Sequence, residues 1–301
     1  MDVIVLGDCN PDLVLHGGDV EPQFAQVERV VERAELTIGG SAAIMACGAA
    51  RLGLRTGLVS VVGDDAFGRF MLGELEERDV DVSGVVVDAT TTGVSVVLVK
   101  DDDRAMLTAL GSIAALSAAH VDRGLLSSAR HVHVSSFFLL HALRSDLPPL
   151  LRGAREAGAT TSVDPNWDPG EAWDSGLRDV LSETDVLFVN EEEALRVAGA
   201  ESVEVAAREL AREVGTVVVK RGAAGALAVE GDHLVQAPAR PVDAVDAIGA
   251  GDSFDAGFIS ALLSGRSLAE RLAFANACGA LSMRAAGGTR AQPTLAEATA
   301  E

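Results

Sequence analysis

The chain has 301 residues, 48% of them hydrophobic, with 45 acidic against 24 basic side chains and a formal charge of −21. That length buries a large core, and a mean hydropathy of +0.26 excludes a largely disordered chain. With only two lysines (Lys100 and Lys220) and no basic cluster, nucleic-acid binding is not expected, and a nucleotide ligand should arrive with a divalent cation.

Val3-Ile4-Val5-Leu6 reads as a buried parallel strand, ended by Gly7-Asp8. No GxGxxG follows, which disfavours a dinucleotide-binding dehydrogenase. Asn10-Pro11-Asp12 comes instead, and places Asp12 at the strand's carboxyl end, where open α/β sheets bind ligands. Residues 13–37 alternate without helical period and read as a small excursion of strands. Ile38-Gly39-Gly40-Ser41 opens a helix over 42–52, the double glycine allowing close approach by a ligand or tight packing. A buried strand over 57–63 and a helix over 66–78 follow, the latter with Phe67, Phe70, Met71 and Leu75 at core spacing. Residues 91–100 read as a strand and Asp101-Asp102-Asp103 as an exposed turn. Together, 13–37 and 91–109 fit a small sheet apart from the main body, as a lid would be.

From residue 117 the pattern is repeated strand–helix. Strands are expected at 131–134, 160–164, 185–189 and 216–220, and helices at 146–157, 176–182, 191–198 and 203–214. Such alternation predicts a parallel sheet covered by helices. His131 and His133 share a strand face, lack Cys or acidic partners at metal spacing, and read as structural. Asn190 and Glu193 stand at capping-box positions of a helix start. The same oxygens could hold the waters of a hydrated Mg²⁺, and both readings stay open. Lys220 to Ala226 is a strand-to-hairpin turn with Gly222 and Gly225, able to contact phosphates or ribose.

Asp246–Phe254 carries the densest signal. The turn Gly249-Ala250-Gly251 precedes an acid, Asp252, and a helical run over 254–263. Unpartnered amides and the positive end of the macrodipole make such a helix start a site for anionic oxygens. A carboxylate in its first turn could take a proton from a hydroxyl attacking a phosphoryl group. A second helix at 268–285 carries Asn276 and ends at Gly287-Gly288. Cys9, Cys47 and Cys278 stand far apart with no CxxC, neither a disulfide framework nor a zinc site. The opening residues lack a signal-peptide pattern and no apolar segment reaches membrane-spanning length, so a cytoplasmic protein with no membrane partner is expected.

In this order the pieces resemble the ribokinase-like (PfkB-type) family of sugar and nucleoside kinases over residues 3–298. Asp246–Phe254 is similar to its C-terminal signature, Gly39-Gly40 to its N-terminal signature, and Asn190–Glu193 to its Asn-x-x-Glu element. The resemblance implies a single α/β domain over 1–301, a mostly parallel sheet flanked by helices, with a β lid that also serves as a homodimer interface. It implies transfer of the γ-phosphoryl group of ATP to a sugar hydroxyl, with Mg²⁺. Asp252 would be the base, and the amides of Gly249, Ala250 and Gly251 would stabilise the transferred group. Asn10, Asp12, Gly39 and Gly40 would hold the acceptor. Asn190 and Glu193 would organise Mg²⁺ and phosphates, while Lys220, Gly222, Gly225 and Asn276 would line the nucleotide site. Asp246 and the carbonyl of Ile248 resemble part of a K⁺ site. Two departures stand out: Ile44 replaces a sugar-binding Asn, and Ala247 replaces a Thr. The first gives weight to a nucleoside acceptor, with Ile44, Phe137 and Phe138 as candidates around a base. A non-catalytic sugar or nucleotide sensor is the rival of another class, and the retained Asp252 argues against it.

Overall fold

The structure, a computed structural model, describes residues 1–100 and 103–300. Asp101 and Asp102 of the expected acidic turn lie outside the described residues. In chain order the strands are β1 (Val3–Leu6), β2 (Asn10–His16), β3 (Arg33–Gly39), β4 (Thr56–Gly63), β5 (Asp81–Asp88), β6 (Val94–Lys100), β7 (Asp103–Ala109), β8 (His131–Ser135), β9 (Thr160–Asp164), β10 (Val186–Asn190), β11 (Thr216–Lys220), β12 (Ala226–Glu230) and β13 (His233–Ala237). The longer helices are α1 (Ser41–Arg51), α2 (Ala66–Glu76), α3 (Leu147–Glu156), α4 (Glu191–Ala198), α5 (Val203–Leu210), α6 (Ala250–Leu263) and α7 (Leu268–Ser282).

Nine strands form the main sheet, in the order β13-β12-β11-β10-β9-β8-β1-β4-β5. Seven run parallel, and the β11–β12–β13 end is antiparallel. β1 and β4 are buried along their whole length, as unbroken apolar runs at the centre of a parallel sheet should be. Alternate residues feed two cores. Ile4 and Leu6 join Leu147, Leu151 and Ala194 on one face; Val3 and Val5 join Met45, Phe254, Phe258 and Leu272 on the other. The expected parallel sheet between helical layers is what the chain forms. Boundaries shift by a few residues: α5 stops at Leu210 and α7 at Ser282, each short of the expected end, while α6 begins at Ala250, before the expected start.

β5 is an additional strand that the sequence pattern hides. Its run is bounded by Asp81 and Asp88 and interrupted by Gly84, all poor strand formers. It tolerates them because it is the half-exposed edge of the sheet, paired to β4 across an irregularity at Gly57/Val59.

A separate four-stranded sheet, β3-β2-β6-β7, makes the lid. Asp12 belongs here, which corrects its expected place at the end of β1. β1 stops at Leu6, and three residues later the chain enters the lid as β2. Register puts Leu36, Leu13, Val96 and Leu107 in one row across the four strands, on the face opposite Asp12 and Ser95.

His131 and His133 are fully buried and serve the sheet. Nδ1 and Nε2 of His131 lie 2.7 Å from the Thr160 and Ser162 hydroxyls, and Nδ1 of His133 lies 2.7 Å from Ser162. Burial lowers their pKa values to about 3 and about 4, so both rings are neutral.

Candidate active site

The ends of β1, β8, β9, β10 and β11 meet the starts of α1, α4 and α6 under the lid, enclosing a cleft of about 1290 Å³. Parallel strands all point their carboxyl ends one way, so loops from distant parts of the chain converge there.

Gly249 caps α6 in the left-handed conformation (φ 70°) with no side-chain cap. A β-carbon on it would fall 2.8 Å from both Gly288 Cα and Ile44 Cγ2, so only glycine fits this turn. Among the described residues, the amides of Gly249, Gly251 and Asp252 donate to no protein group; that of Ala250 is directed to the Ala247 carbonyl at 3.3 Å. Gly249, Gly251 and Asp252 line the cleft, with Ala250 behind them. Ile44 also lines it, but its packing on Gly249 and Gly288 accounts for an aliphatic residue without invoking a nucleobase.

Asp252 stands in the first turn of α6 and is 8% exposed. Burial raises its pKa to about 7; the Lys220 ammonium opposes this, while the Asp164 and Asp8 carboxylates add to it. A carboxyl titrating near neutrality is suited to accept a proton in a transition state. Lys220 lies beneath this turn, its Nζ 3.4 Å from where a Gly251 β-carbon would be. It pairs with Asp164 and, at 3.2 Å, with Asp255. Although burial opposes its charge, those two carboxylates keep it protonated. Burial alone would raise Asp164, but Lys220 beside it holds it below the usual carboxylate range. Asp255 is pushed well above that range by burial, with Lys220 opposing the shift and the Asp164 charge adding to it.

On the lid side, Asn10 and Asp12 line the cleft. Asn10 donates to Ser95 Oγ and the Pro11 carbonyl, both at 3.3 Å. Burial, with the charge of Asp8 adding, raises Asp12 to about 7. Asp8 itself caps α1 from a distance, accepting from the amides of Ser41 (3.1 Å) and Ala42 (2.9 Å). Gly40 starts that helix at φ 76°, its place tightly bounded by the Asp8 carbonyl and Asn10 Oδ1. Gly39 stays behind the lining: a β-carbon there would overlap the Asp12 carboxylate. Gly39→Ala therefore tests the acceptor role of Asp12. The backbone at Gly39 needs no left-handed torsion, so the fold should survive while the KM for acceptor rises at least about tenfold, the loss of one charged hydrogen bond. An unchanged acceptor KM in steady-state kinetics would remove Asp12 from acceptor binding.

Asn190 and Glu193 form a reciprocal capping box at 2.8 and 2.9 Å, and both line the cleft. The two readings of this pair are thus compatible in space. Burial, reinforced by the Asp164 charge, raises Glu193 to about 7. No three His, Cys, Asp or Glu side chains among the described residues cluster as a metal cage. The oxygens of Asn190 and Glu193 fit a cation that keeps most of its own waters.

Lys220 and Gly222 line the cleft, whereas Gly225 and Asn276 stand behind its wall. Gly225 (φ 86°) packs so closely on the Ala237 carbonyl that a β-carbon would overlap it. Asn276 donates to the carbonyls of Ala237 (3.1 Å) and Pro238 (3.0 Å). Asp246 accepts from the amides of Ile248 (2.9 Å) and Gly287 (2.8 Å), joining the turn before α6 to the one after α7.

Asp8, Asp164, Asp255, Asn166, Arg104, His141 and Arg144 stand in or under the site without a role assigned from the pattern. Asp255 was accessible by spacing, one turn after Asp252 on the same helix. Arg144 and His141 follow β8 in an irregular stretch that no spacing rule marks.

The pattern of the pfkB family carbohydrate kinases matches residues 1–295. The chain is 36% identical over 295 residues to an ATP-dependent ribose-1-phosphate kinase of Halopiger xanaduensis, covering 97% of this chain and 95% of that protein. It is also 36% identical over 306 residues to a fructokinase of Klebsiella pneumoniae, covering 96% and 95%. Among solved structures, a protein assigned as ribokinase II of E. coli, in complex with ATP and Mg²⁺, superposes with a TM-score of 0.87 at 27% identity. That match covers 99% of this chain and 97% of that one. With the match spanning nearly its whole length, the chain belongs to the pfkB family of carbohydrate kinases.

Proposed function

We propose that this kinase transfers the γ-phosphoryl group of Mg²⁺-bound ATP to a hydroxyl of a small sugar. The observation that carries the reading is Asp252, a buried carboxyl with a pKa of about 7, facing the cleft beside amides that have no partner among the described residues. The acceptor oxygen forms a bond to the γ-phosphorus while the bond to the β,γ-bridging oxygen breaks, and ADP leaves with that electron pair. The acceptor's proton goes to Asp252. The Gly249 and Gly251 amides stabilise charge on the transferred group, and Lys220 below them adds a fixed positive charge. Mg²⁺ supplies further neutralisation of the phosphates when bound, and Asn190 and Glu193 would hold its waters. Asn10 and Asp12 orient the acceptor hydroxyls.

Two finer statements belong to the same proposal. Asp246 and the Ile248 carbonyl would hold a monovalent cation such as K⁺, since each Asp246 oxygen accepts one amide and keeps a lone pair. A second copy of the chain covers the outer lid face, where the row Leu36, Leu13, Val96 and Leu107 is apolar and Leu107 is 61% exposed.

The test is ADP release over a panel of sugars, sugar derivatives and nucleosides, with and without Mg²⁺ and K⁺. Acceptor-dependent release is expected. Tight binding with no release for any acceptor would instead mark a sensor. Because Asp252 must be ionised to act, kcat/KM should rise about tenfold per pH unit below 7 and level above it. Asp12 and Glu193 titrate in the same range, so the limb belongs to the group of three. A profile flat from about pH 5.5 to 8.5 would remove Asp252 as the base.

A further inference from the structure

The two curated relatives differ in their acceptors: the name of one specifies a sugar that already carries a phosphate, and that of the other does not. Similarity at 36% to both leaves the choice open, and the lining of the cleft decides it.

Arg144 lines the cleft half-buried, and its guanidinium makes no hydrogen bond or ion pair with any described residue. The surroundings make this unusual. The chain carries a charge of −21, and carboxylates are plentiful along the cleft. Three of those in the cleft are already engaged. Asp8 accepts two amides of α1, and Asp164 pairs with Lys220. Asp168 accepts from the amides of Gly170, Ala172 and Trp173 at 2.7–2.9 Å. A guanidinium drawn partly out of water and left unanswered by protein is placed for an anion from outside.

Topology says which substrate supplies it. The residues assigned to the nucleotide, Asn190, Lys220 and Gly222, lie at the ends of β10 and β11. Arg144 and the neighbouring His141, also a lining residue, follow β8, which lies between β9 and β1. That is the half from which the lid springs, since β2 follows β1, and Asp12 of β2 lines the same cleft. Arg104 of β7 brings positive charge from the lid itself and is felt by Asp12.

Resting on the kinase reading above, we propose that Arg144, with His141 beside it, forms an anion subsite for an acceptor that carries a phosphate ester or carboxylate remote from its reacting hydroxyl. Asp12 then reads neutral hydroxyls, and Arg144 selects the charged end. A planar, bidentate donor suits either anion.

Matched acceptors test this: a free sugar, the same sugar with a phosphate ester, and the same sugar oxidised to an acid. One anionic form should exceed the neutral sugar in kcat/KM by about 100-fold, the worth of a charge-assisted bidentate contact. The phosphate and acid arms show which anion is read. Arg144→Met should raise the KM for that acceptor by a similar factor, with kcat and the KM for ATP changing less than about threefold, and Arg144→Lys should recover part of the loss. A neutral sugar used as well as its charged forms, with Arg144→Met silent, overturns the subsite and leaves the kinase reading standing. A rise in the KM for ATP instead assigns Arg144 to the nucleotide and equally overturns it. If no acceptor releases ADP, the kinase reading fails, and calorimetry decides the subsite alone. Sugar phosphate binding lost in Arg144→Met supports it; equal binding to both proteins overturns it.

Discussion

Asp252→Asn is expected to lower kcat by about a thousandfold while the affinity for ATP changes by less than about threefold. General-base catalysis contributes roughly 10² to 10⁴ in rate, and Asn keeps the shape of the side chain but cannot take the proton. The anion-binding amides of Gly249 and Gly251 are backbone groups, so the variant leaves them in place. Fold stability should move the other way. Asp252 has a folded-state pKa raised from 3.8 to about 7, so the native protein holds a proton there that the unfolded chain has released. Its contribution is intact below pH 4 and is lost as pH rises toward 7. Such a displacement corresponds to at most about 4 kcal/mol. Asp252→Asn should therefore melt several degrees above the wild type at pH 8 and close to it at pH 4. Calorimetric melting at both pH values and steady-state kinetics check the pair. Near-normal turnover would reject Asp252 as the base, and a stabilisation larger at pH 4 than at pH 8 would contradict its raised pKa.

What could be read from the sequence was local. The Gly249-Ala250-Gly251-Asp252 turn, the Asn190–Glu193 cap and the double glycine before α1 each carry their geometry within a few residues. The four-residue run of β1 likewise announces a buried strand. What could not be read depends on tertiary position. Asp164 and Lys220 are 56 residues apart in sequence, and Lys220 and Asp255 are 35 apart. Nothing short of the folded sheet shows that their side chains meet. Asp12 was misplaced because local pattern cannot tell a loop after β1 from a strand that changes sheets. β5 was missed because edge strands carry less hydrophobic signal. Gly225 and Asn276 show the converse: the family resemblance implies a place in the nucleotide site, and the structure gives both a packing role behind the cleft, in the turn that leads from β11 to β12 and at the end of β13.

The buried Lys220 cluster ties fold to function, and Lys220→Met should damage both. Removing the ammonium leaves Asp164 buried without its cation, a loss of about 3–5 kcal/mol for breaking such a pair. For a chain of this size that is a fall of roughly 5–8 °C in Tm. Lys220 is also the largest influence lowering the pKa of Asp252. Without it the base titrates higher, so the alkaline-rising limb of kcat/KM should move up by about one pH unit or more. At pH 7 the ionised fraction, and the rate with it, then drops at least about fivefold, beyond whatever the phosphoryl group loses directly. The double variant Lys220→Met with Asp164→Asn separates these effects. It removes the uncompensated anion, so most of the Tm returns. Asp164 raises the pKa of Asp252 where Lys220 lowers it, so the limb should return part of the way toward 7. A single variant with an unchanged limb would show that Lys220 does not act on Asp252. A double variant no more stable than the single would show that Asp164 was not the charge it neutralised.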